Sequence, residues 1–382
     1  MAQAAAAYGD ERLAVADAEA GSGVKVAIFL RDLGLGGVER CAVLVGEGLV
    51  ARGFDVTLVL LGGHRNLWEA RIRQVKVVDL SAQWQPLKPW TWLKGWRAAR
   101  RIAREHDVVI AGTFLLPLYM AFAATRGLGK RVLGWVHGPM AELDAFARMN
   151  PVHRFACRYV YRRLDELIFV SQHARESLSR WLGEAPRPGW QVLPNFIDDA
   201  DPAGSPPLPR EPSALLRMVF VGRIAEEKQP GLWLDALAEL NARALPAQLT
   251  VVGDGPLEGW LRDEAQRRGL AEQLVLAGRQ EEVAPYLQAA DVLLLTSSFE
   301  GCPLVVLEAM AQGLPVVSTN AGGVYELFGE RRGEFVVDEA SGAALAGLLQ
   351  RQDRAALSWW LLERAVRYSA KTTLEKWQKL LD

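Results

Sequence analysis

The stretch Val24-Lys25-Val26-Ala27-Ile28-Phe29-Leu30, followed by the turn Gly34-Leu35-Gly36-Gly37, decides how the chain is read. An apolar run of strand length, a glycine turn and an amphipathic pattern over 38–52 form the opening strand–turn–helix unit of an α/β sheet. Strand-length runs recur at 54–61, 75–79, 107–111, 131–136, 166–170 and 191–193, with helical stretches between them. That alternation predicts a parallel sheet covered by helices on both faces. The pattern then restarts. Five prolines at 202, 206, 207, 209 and 212 read as a linker. Beyond them, strands are expected at 216–221, 248–252, 274–277, 291–296, 315–318 and 334–337. Helices are expected at 228–242, 257–268, 283–289 and 304–312. Two doubly wound domains in series, 24–195 and 196–359, follow from this pattern. Such sheets bind ligands beyond the carboxyl ends of their strands, and two facing ones make a cleft.

Composition narrows the class. The chain has 382 residues, enough for two domains at about 150 residues each. With 50% hydrophobic and 23% charged residues it is neither disordered nor fibrous. Cys41, Cys157 and Cys302 lie far apart, which excludes a disulfide framework and a cysteine-rich zinc site and fits a reducing cytoplasm. No run approaches the ~18 apolar residues of a membrane-spanning helix. Residues 1–23 are alanine-rich and acidic, lack the basic start of a signal peptide, and read as a disordered tail. The net charge of -1 conceals a division. Residues 24–195 carry 25 Lys and Arg against 14 Asp and Glu, whereas 196–382 carry 18 against 27. The basic half is the one suited to an anionic surface.

Three motifs carry chemistry. In the first, Glu39 stands where a dinucleotide fingerprint needs its third glycine, and no acid closes the second strand, so a nicotinamide dehydrogenase is disfavoured. Gly36 and Gly37 still let backbone approach an anion at a helix N-terminus, although a plain turn explains them equally well. In the second, Gly222-Arg223-Ile224-Ala225-Glu226-Glu227-Lys228, a strand delivers Arg223 to its carboxyl end and Lys228 is expected to open the next helix. Two cations meeting a helix N-terminus suit a diphosphate. In the third, Ser297-Ser298-Phe299-Glu300-Gly301-Cys302-Pro303-Leu304-Val305-Val306-Leu307-Glu308, Pro303 is expected as the first helical residue. Glu300 and Glu308 are carboxylates able to accept from sugar hydroxyls.

Together with the loop Gly36-Gly37-Val38-Glu39-Arg40, Val252-Gly253-Asp254-Gly255-Pro256 and Ala309-Met310-Ala311-Gln312-Gly313-Leu314-Pro315-Val316-Val317, these motifs resemble family 4 of the retaining glycosyltransferases, over essentially residues 24–330. The resemblance implies the GT-B fold: two Rossmann-like doubly wound domains facing across a cleft. The acceptor would bind the first and a UDP-sugar or GDP-sugar the second. It implies that Arg223 and Lys228 hold the diphosphate, with Gly222 beside them. Glu308 would bind the ribose, and Glu300 with backbone N–H groups of Leu304 and Val305 the sugar. Arg279, Glu282 and Val283 would lie against the base, and Gly36 and Gly37 near the phosphates. His137, between a strand and Gly138, matches the family's histidine near the transferred sugar, and Asn195 its interdomain hinge. A helix at about 360–382 would cross back onto the first domain, as in this fold generally.

The implied activity is a retaining, hexosyltransferase-type transfer to a cell-envelope glycan or lipid-linked acceptor, as in polysaccharide or lipopolysaccharide biosynthesis. Asp199-Ala200-Asp201 spells a manganese motif, but at the linker rather than at a sheet end, so no metal or other cofactor is expected. A nucleotide-sugar epimerase or hydrolase of the same fold, or a non-catalytic scaffold, are the alternatives. Between Asp79 and Glu105 lie six bases with Trp84, Trp90, Trp92 and Trp96, and a second basic-aromatic stretch covers 148–163. Both segments, 84–104 and 148–163, suit docking on an anionic membrane from the cytoplasmic side. A core-facing tryptophan stripe with a solvated basic back is the other reading. No motif supports nucleic-acid binding.

Overall fold

The computed structural model describes residues 23–34, 36–62, 68, 72–83, 88–197 and 214–382. The N-terminal tail over 1–22, Leu35, Trp84, the Asp199-Ala200-Asp201 triplet and the prolines of 202–212 lie outside these residues.

The first half alternates as its sequence requires. Its strands are β1 Lys25–Leu30, β2 Asp55–Leu60, β3 Lys76–Asp79, β4 Val108–Ala111, β5 Arg131–Val136, β6 Glu166–Phe169 and β7 Trp190–Val192. Its helices are α1 Gly37–Val50, α2 Pro89–Glu105, α3 Leu116–Thr125, α4 Met140–Ala147, α5 Pro151–Tyr161 and α6 Gln172–Leu182. All seven strands are parallel, in the order β3-β2-β1-β4-β5-β6-β7. Residues 26–30 of β1 are fully buried, because helices cover both faces and leave no side for polar alternation.

The second half repeats the plan. Its strands are β8 Leu216–Val221, β9 Ala247–Val252, β10 Leu274–Gly278, β11 Val292–Leu295, β12 Val316–Thr319 and β13 Val336–Val337, in the parallel order β10-β9-β8-β11-β12-β13. Its helices are α7 Pro230–Ala242, α8 Glu258–Arg267, α9 Ala284–Ala289, α10 Leu304–Ala311, α11 Val324–Phe328, α12 Gly342–Arg351 and α13 Arg354–Ala365, followed by α14 Ala370–Leu381. In each sheet the strand order reverses once, between β1 and β4 and between β8 and β11. At such a reversal the flanking connections leave on opposite faces and open a crevice.

Three local expectations need correction. Lys228 does not open a helix: Glu226–Lys228 is a 3-10 turn, Gln229 is left-handed at φ 48°, and α7 starts at Pro230. A residue before proline is disfavoured in the helical region, which separates Lys228 from α7. Pro303 is extended at ψ 124° and caps α10 from outside rather than being its first residue. The last strand is two residues long, because Gly329–Glu334 forms a 3-10 turn before it.

The end of the chain also sews the two halves together. After α13, which packs on α10, the chain returns to the first domain. Ile197 and Ser369 pair side by side where the two crossings run parallel. The α14 helix then lies on α1 and the first sheet. Trp377 is 1% exposed and meets Trp135 edge-on at 4.8 Å, and the Arg131 guanidinium donates to the Leu380 and Leu381 carbonyls.

The tryptophan segment divides. Trp96 packs toward α3, its Nε1 donating to the Ala123 carbonyl at 3.2 Å, while Trp92 and Leu93 are about half exposed. Arg100 is not on a solvated back. It donates to the Ala124 and Arg126 carbonyls at the end of α3. On α5, Val152, Phe155 and Tyr159 face solvent on one stripe, with Val152 73% and Phe155 72% exposed. Among the described residues no helix is long and apolar enough to cross a membrane.

Candidate active site

The crevices of the two sheets face each other. The loop after β8 (222–229) and the loop after β11 (296–303) flank the reversal in the second sheet. They are tied together by their backbones. Ser298 N–H donates to the Glu227 carbonyl at 2.8 Å. Thr296 Oγ1 donates to the Lys228 carbonyl at 2.7 Å and accepts from Trp233 Nε1 at 2.6 Å. The backbone of Lys228 is thus held by a buried threonine, and its side chain is aimed at Glu300.

Lys228 Nζ and Glu300 Oε1 lie 2.5 Å apart, with side chains only 19% and 15% exposed. Ser297 Oγ also donates to Glu300 Oε1, at 2.7 Å. The Glu300 backbone is fixed as well. Its N–H donates to the Ala321 carbonyl, and its carbonyl accepts from Gly323 N–H. A charged pair this enclosed persists only because each partner answers the other.

A cavity of about 220 Å³ opens at this pair, lined by Lys228, Glu300, Glu227, Phe299 and Gly301 from the second domain and by His137, Gly138, Pro139 and Leu143 from the first. The domains touch at its floor. A β-carbon on Gly301 would lie 2.1 Å from the His137 carbonyl oxygen, so only glycine permits this approach. Asn195 Nδ2 donates to the Cys302 carbonyl at 2.7 Å beside it. Across the rim, Phe146 of α4 meets Phe299 at 5.4 Å between ring centroids.

The His137 ring lies 4.4 Å from that of Trp135, tilted by 38°, and neither ring nitrogen reaches a partner at full hydrogen-bonding geometry among the described residues. Burial outweighs the weak help of the Gly112 backbone and pushes its pKa down to about 3, so the imidazole is neutral. A neutral imidazole offers one donor and one acceptor to a ligand hydroxyl.

The other expected residues fall into three places. Gly36 caps α1 and Gly37 begins it, and no side chain caps that helix. A β-carbon on Gly37 would stand 4.0 Å from Leu304 Cδ1, so the start of α1 lies against the start of α10. Leu304 and Val305 form the first turn of α10, which also lacks a side-chain cap, leaving backbone N–H groups for an anion. Glu308, one turn further on, pairs with Arg40 of α1 across the cleft. Gly222 is at φ 150° at the end of β8, and the exposed Arg223 beyond it makes no ion pair among the described residues.

Arg279, Glu282 and Val283 are not in the cavity lining. Arg279 is held by Asp254 through two hydrogen bonds of 3.0 Å, Glu282 is exposed, and Val283 caps α9.

Some contacts here carried no sequence signal. No motif marked Phe146, and no local pattern links the distant positions paired as Phe146–Phe299 and Arg40–Glu308. Glu326 of α11 accepts from the Gln172 and His173 N–H groups that open α6, another tie between the domains. His173, which sequence placement left without a role, stands beside it. A β-carbon on Gly322 would lie 2.4 Å from its ring.

Comparisons with known proteins agree on the class. Residues 35–201 match the family described as Glycosyltransferase Family 4, and residues 216–351 match Glycosyl transferases group 1. The Vi polysaccharide biosynthesis protein VipC/TviE of Salmonella typhi is 32% identical over 41% of this chain, a match that spans only 25% of that protein. A GDP-mannose-dependent alpha-(1-6)-phosphatidylinositol monomannoside mannosyltransferase of Mycobacterium tuberculosis is 29% identical over 67% of this chain and 70% of its own length. The structure of Anabaena HepE in complex with UDP-glucose superposes with a TM-score of 0.75, at 19% identity, over 94% of this chain and 99% of that one. The fold is GT-B.

The buried neutral His137 has a measurable consequence. The unfolded chain takes up that proton near the ordinary 6.5, the folded one only near 3, so stability falls as pH drops through this window. The loss approaches about 1.4 kcal/mol per pH unit. Denaturant melts at pH 7.5 and pH 5 are expected to show a larger acid loss for the wild type than for His137→Asn. Equal losses would contradict a buried neutral ring.

Proposed function

We propose that this chain, whose two halves match glycosyltransferase family models and whose fold is GT-B, is a retaining, metal-independent glycosyltransferase of polysaccharide biosynthesis. It moves a hexose from a UDP-sugar or GDP-sugar to a glycan or lipid-linked acceptor of the cell envelope.

The Lys228–Glu300 pair beside His137 carries this reading. The bond to be broken joins a phosphate to an anomeric carbon. A cation for the phosphate and a carboxylate for the sugar must therefore stand within one sugar ring of each other. Lys228 and Glu300 do so, at the reversal of the second sheet and facing the first domain. Departure of the diphosphate puts negative charge on its oxygens. Lys228, Arg223 and the N–H groups opening α10 stabilise that charge, in the place a metal ion would otherwise take. Glu308 accepts from the ribose hydroxyls, and Arg279, Glu282 and Val283 flank the base. Neutral His137 bonds a hydroxyl of the transferred sugar without adding a competing charge. The acceptor hydroxyl oxygen bonds the anomeric carbon on the face from which the diphosphate leaves and gives its proton to that leaving phosphate, so the new C–O bond replaces the broken one with the same configuration. The named activity of the mycobacterial relative and the UDP-glucose in the Anabaena structure support a nucleotide-sugar donor.

The exposed stripe of Val152, Phe155 and Tyr159 on α5, with Trp92 and Leu93 on α2, supports docking of the first domain on the cytoplasmic face of the membrane. Both helices also carry bases, Lys94, Arg97 and Arg101 on α2 and Arg154 and Arg158 on α5, and each base near an anionic surface contributes roughly 1 kcal/mol.

Two measurements test the proposal. A nucleotide-release assay over UDP-, GDP- and ADP-sugars in excess EDTA is expected to find one active donor, with Arg223→Ala slower by roughly a hundredfold or more. A strict Mn²⁺ or Mg²⁺ requirement, or a near-wild-type Arg223→Ala, would overturn the mechanism. Vesicles rich in phosphatidylglycerol are expected to pellet the protein at low salt and to release it when Phe155→Ser and Trp92→Ser are combined. No pelleting of the wild type would remove membrane docking.

A further inference from the structure

We infer that Arg40 is a positioning residue for the donor's ribose: from the first domain it orients Glu308, the carboxylate on which the second domain's nucleotide site depends. The inference rests on the donor reading above, in which Glu308 meets the ribose.

Arg40 lies in the second half of the opening turn of α1, and Glu308 on α10. Arg40 Nη1 donates to Glu308 Oε1, an ion pair spanning 268 positions in the chain. The side chains are 27% and 16% exposed. The pair sits where the two helices begin against each other, at Gly37 and Leu304, and beside Cys41, which is 3% exposed. Water is therefore largely kept from this corner, and the attraction is screened less than at a surface.

Only one oxygen of Glu308 is engaged. Oε2 has no hydrogen-bond partner among the described residues. A carboxylate presents about four acceptor positions, so Arg40 leaves several for two ribose hydroxyls. Without Arg40 the side chain would be free to rotate. Held at Oε1 by a planar, permanently charged guanidinium, it is fixed before the ligand arrives, and less order is lost on binding. Arg40 also makes nucleotide affinity depend on where the first domain stands, since moving α1 away from α10 releases the carboxylate.

A merely structural arginine and a positioning one differ in what they couple to. Calorimetric titration of wild type, Arg40→Gln and Arg40→Lys with UDP and 2′-deoxy-UDP, and with GDP and 2′-deoxy-GDP, separates them. For the nucleotide that binds, Arg40→Gln is expected to raise Kd about tenfold while leaving the 2′-deoxy form within about twofold, because the coupling partner is already missing there. Arg40→Lys is expected to recover part of the loss. Equal losses for the ribo and deoxy forms, no loss, or tighter binding would overturn the inference. Wild type that binds neither nucleotide would overturn the donor reading instead. The ribo-to-deoxy ratio is taken within one protein, so a stability change in either variant does not imitate the result.

Discussion

A sheet of parallel strands, buried on both faces, can present a ligand with one edge only, and along that edge with one gap, where the strand order reverses. This chain builds two such sheets and turns their gaps toward each other. Everything at the candidate site follows from that constraint. The loops after β8 and β11 carry Lys228 and Glu300 because they flank the second reversal. The loop after β1 brings Gly36, Gly37 and Arg40, because it flanks the first. The contact of Gly301 with the His137 carbonyl sets the distance between the halves. The return of α14 to the first domain ties them a second time, with Trp377 against Trp135, the ring on which His137 lies.

The electrostatics then run against the charge of the domain. Residues 196–382 carry 27 acids against 18 bases, yet this half is the one proposed to hold a nucleotide diphosphate. Its net charge repels such a ligand. The site answers locally, by pairing and by direction. Arg279, Arg267, Arg268 and Arg331 are occupied by nearby carboxylates. Arg223 makes no ion pair among the described residues at the end of β8, and Lys228 is bound to a carboxylate that a sugar can share. The uncapped starts of α1 and α10 add fixed partial charge from two sides. The basic half is left with an excess it does not use on the donor, and its solvent-facing apolar stripe shares α5 with Arg154 and Arg158.

The sequence was most legible where burial dictates composition. The run beginning at Val24 is a strand to within one residue, since a strand covered on both faces must be apolar throughout. Local backbone chemistry misled at Lys228, where Pro230 dictates the conformation of Gln229 and the helix starts two residues late. The carboxylates were visible as residues, but their partners were not. That Glu300 would meet Lys228 and Glu308 would meet Arg40 depends on which strands neighbour which and on how the domains face, and neither is written in a local pattern. Trp92 and Trp96 illustrate the same limit. They share a helical face by spacing, but that face is wider than the surface of α3 that covers it, so Trp96 is packed and Trp92 is not.

On the proposed reading one nucleotide is held from both sides, by the start of α1 and by the start of α10. Hydrogen–deuterium exchange of the full chain, with and without saturating nucleotide, tests this most directly. The account predicts simultaneous slowing of exchange in peptides covering 36–40 and 304–308, with little change on the exposed face of α5. Slowing confined to the second domain, or absent from both segments while the nucleotide is bound, would contradict it.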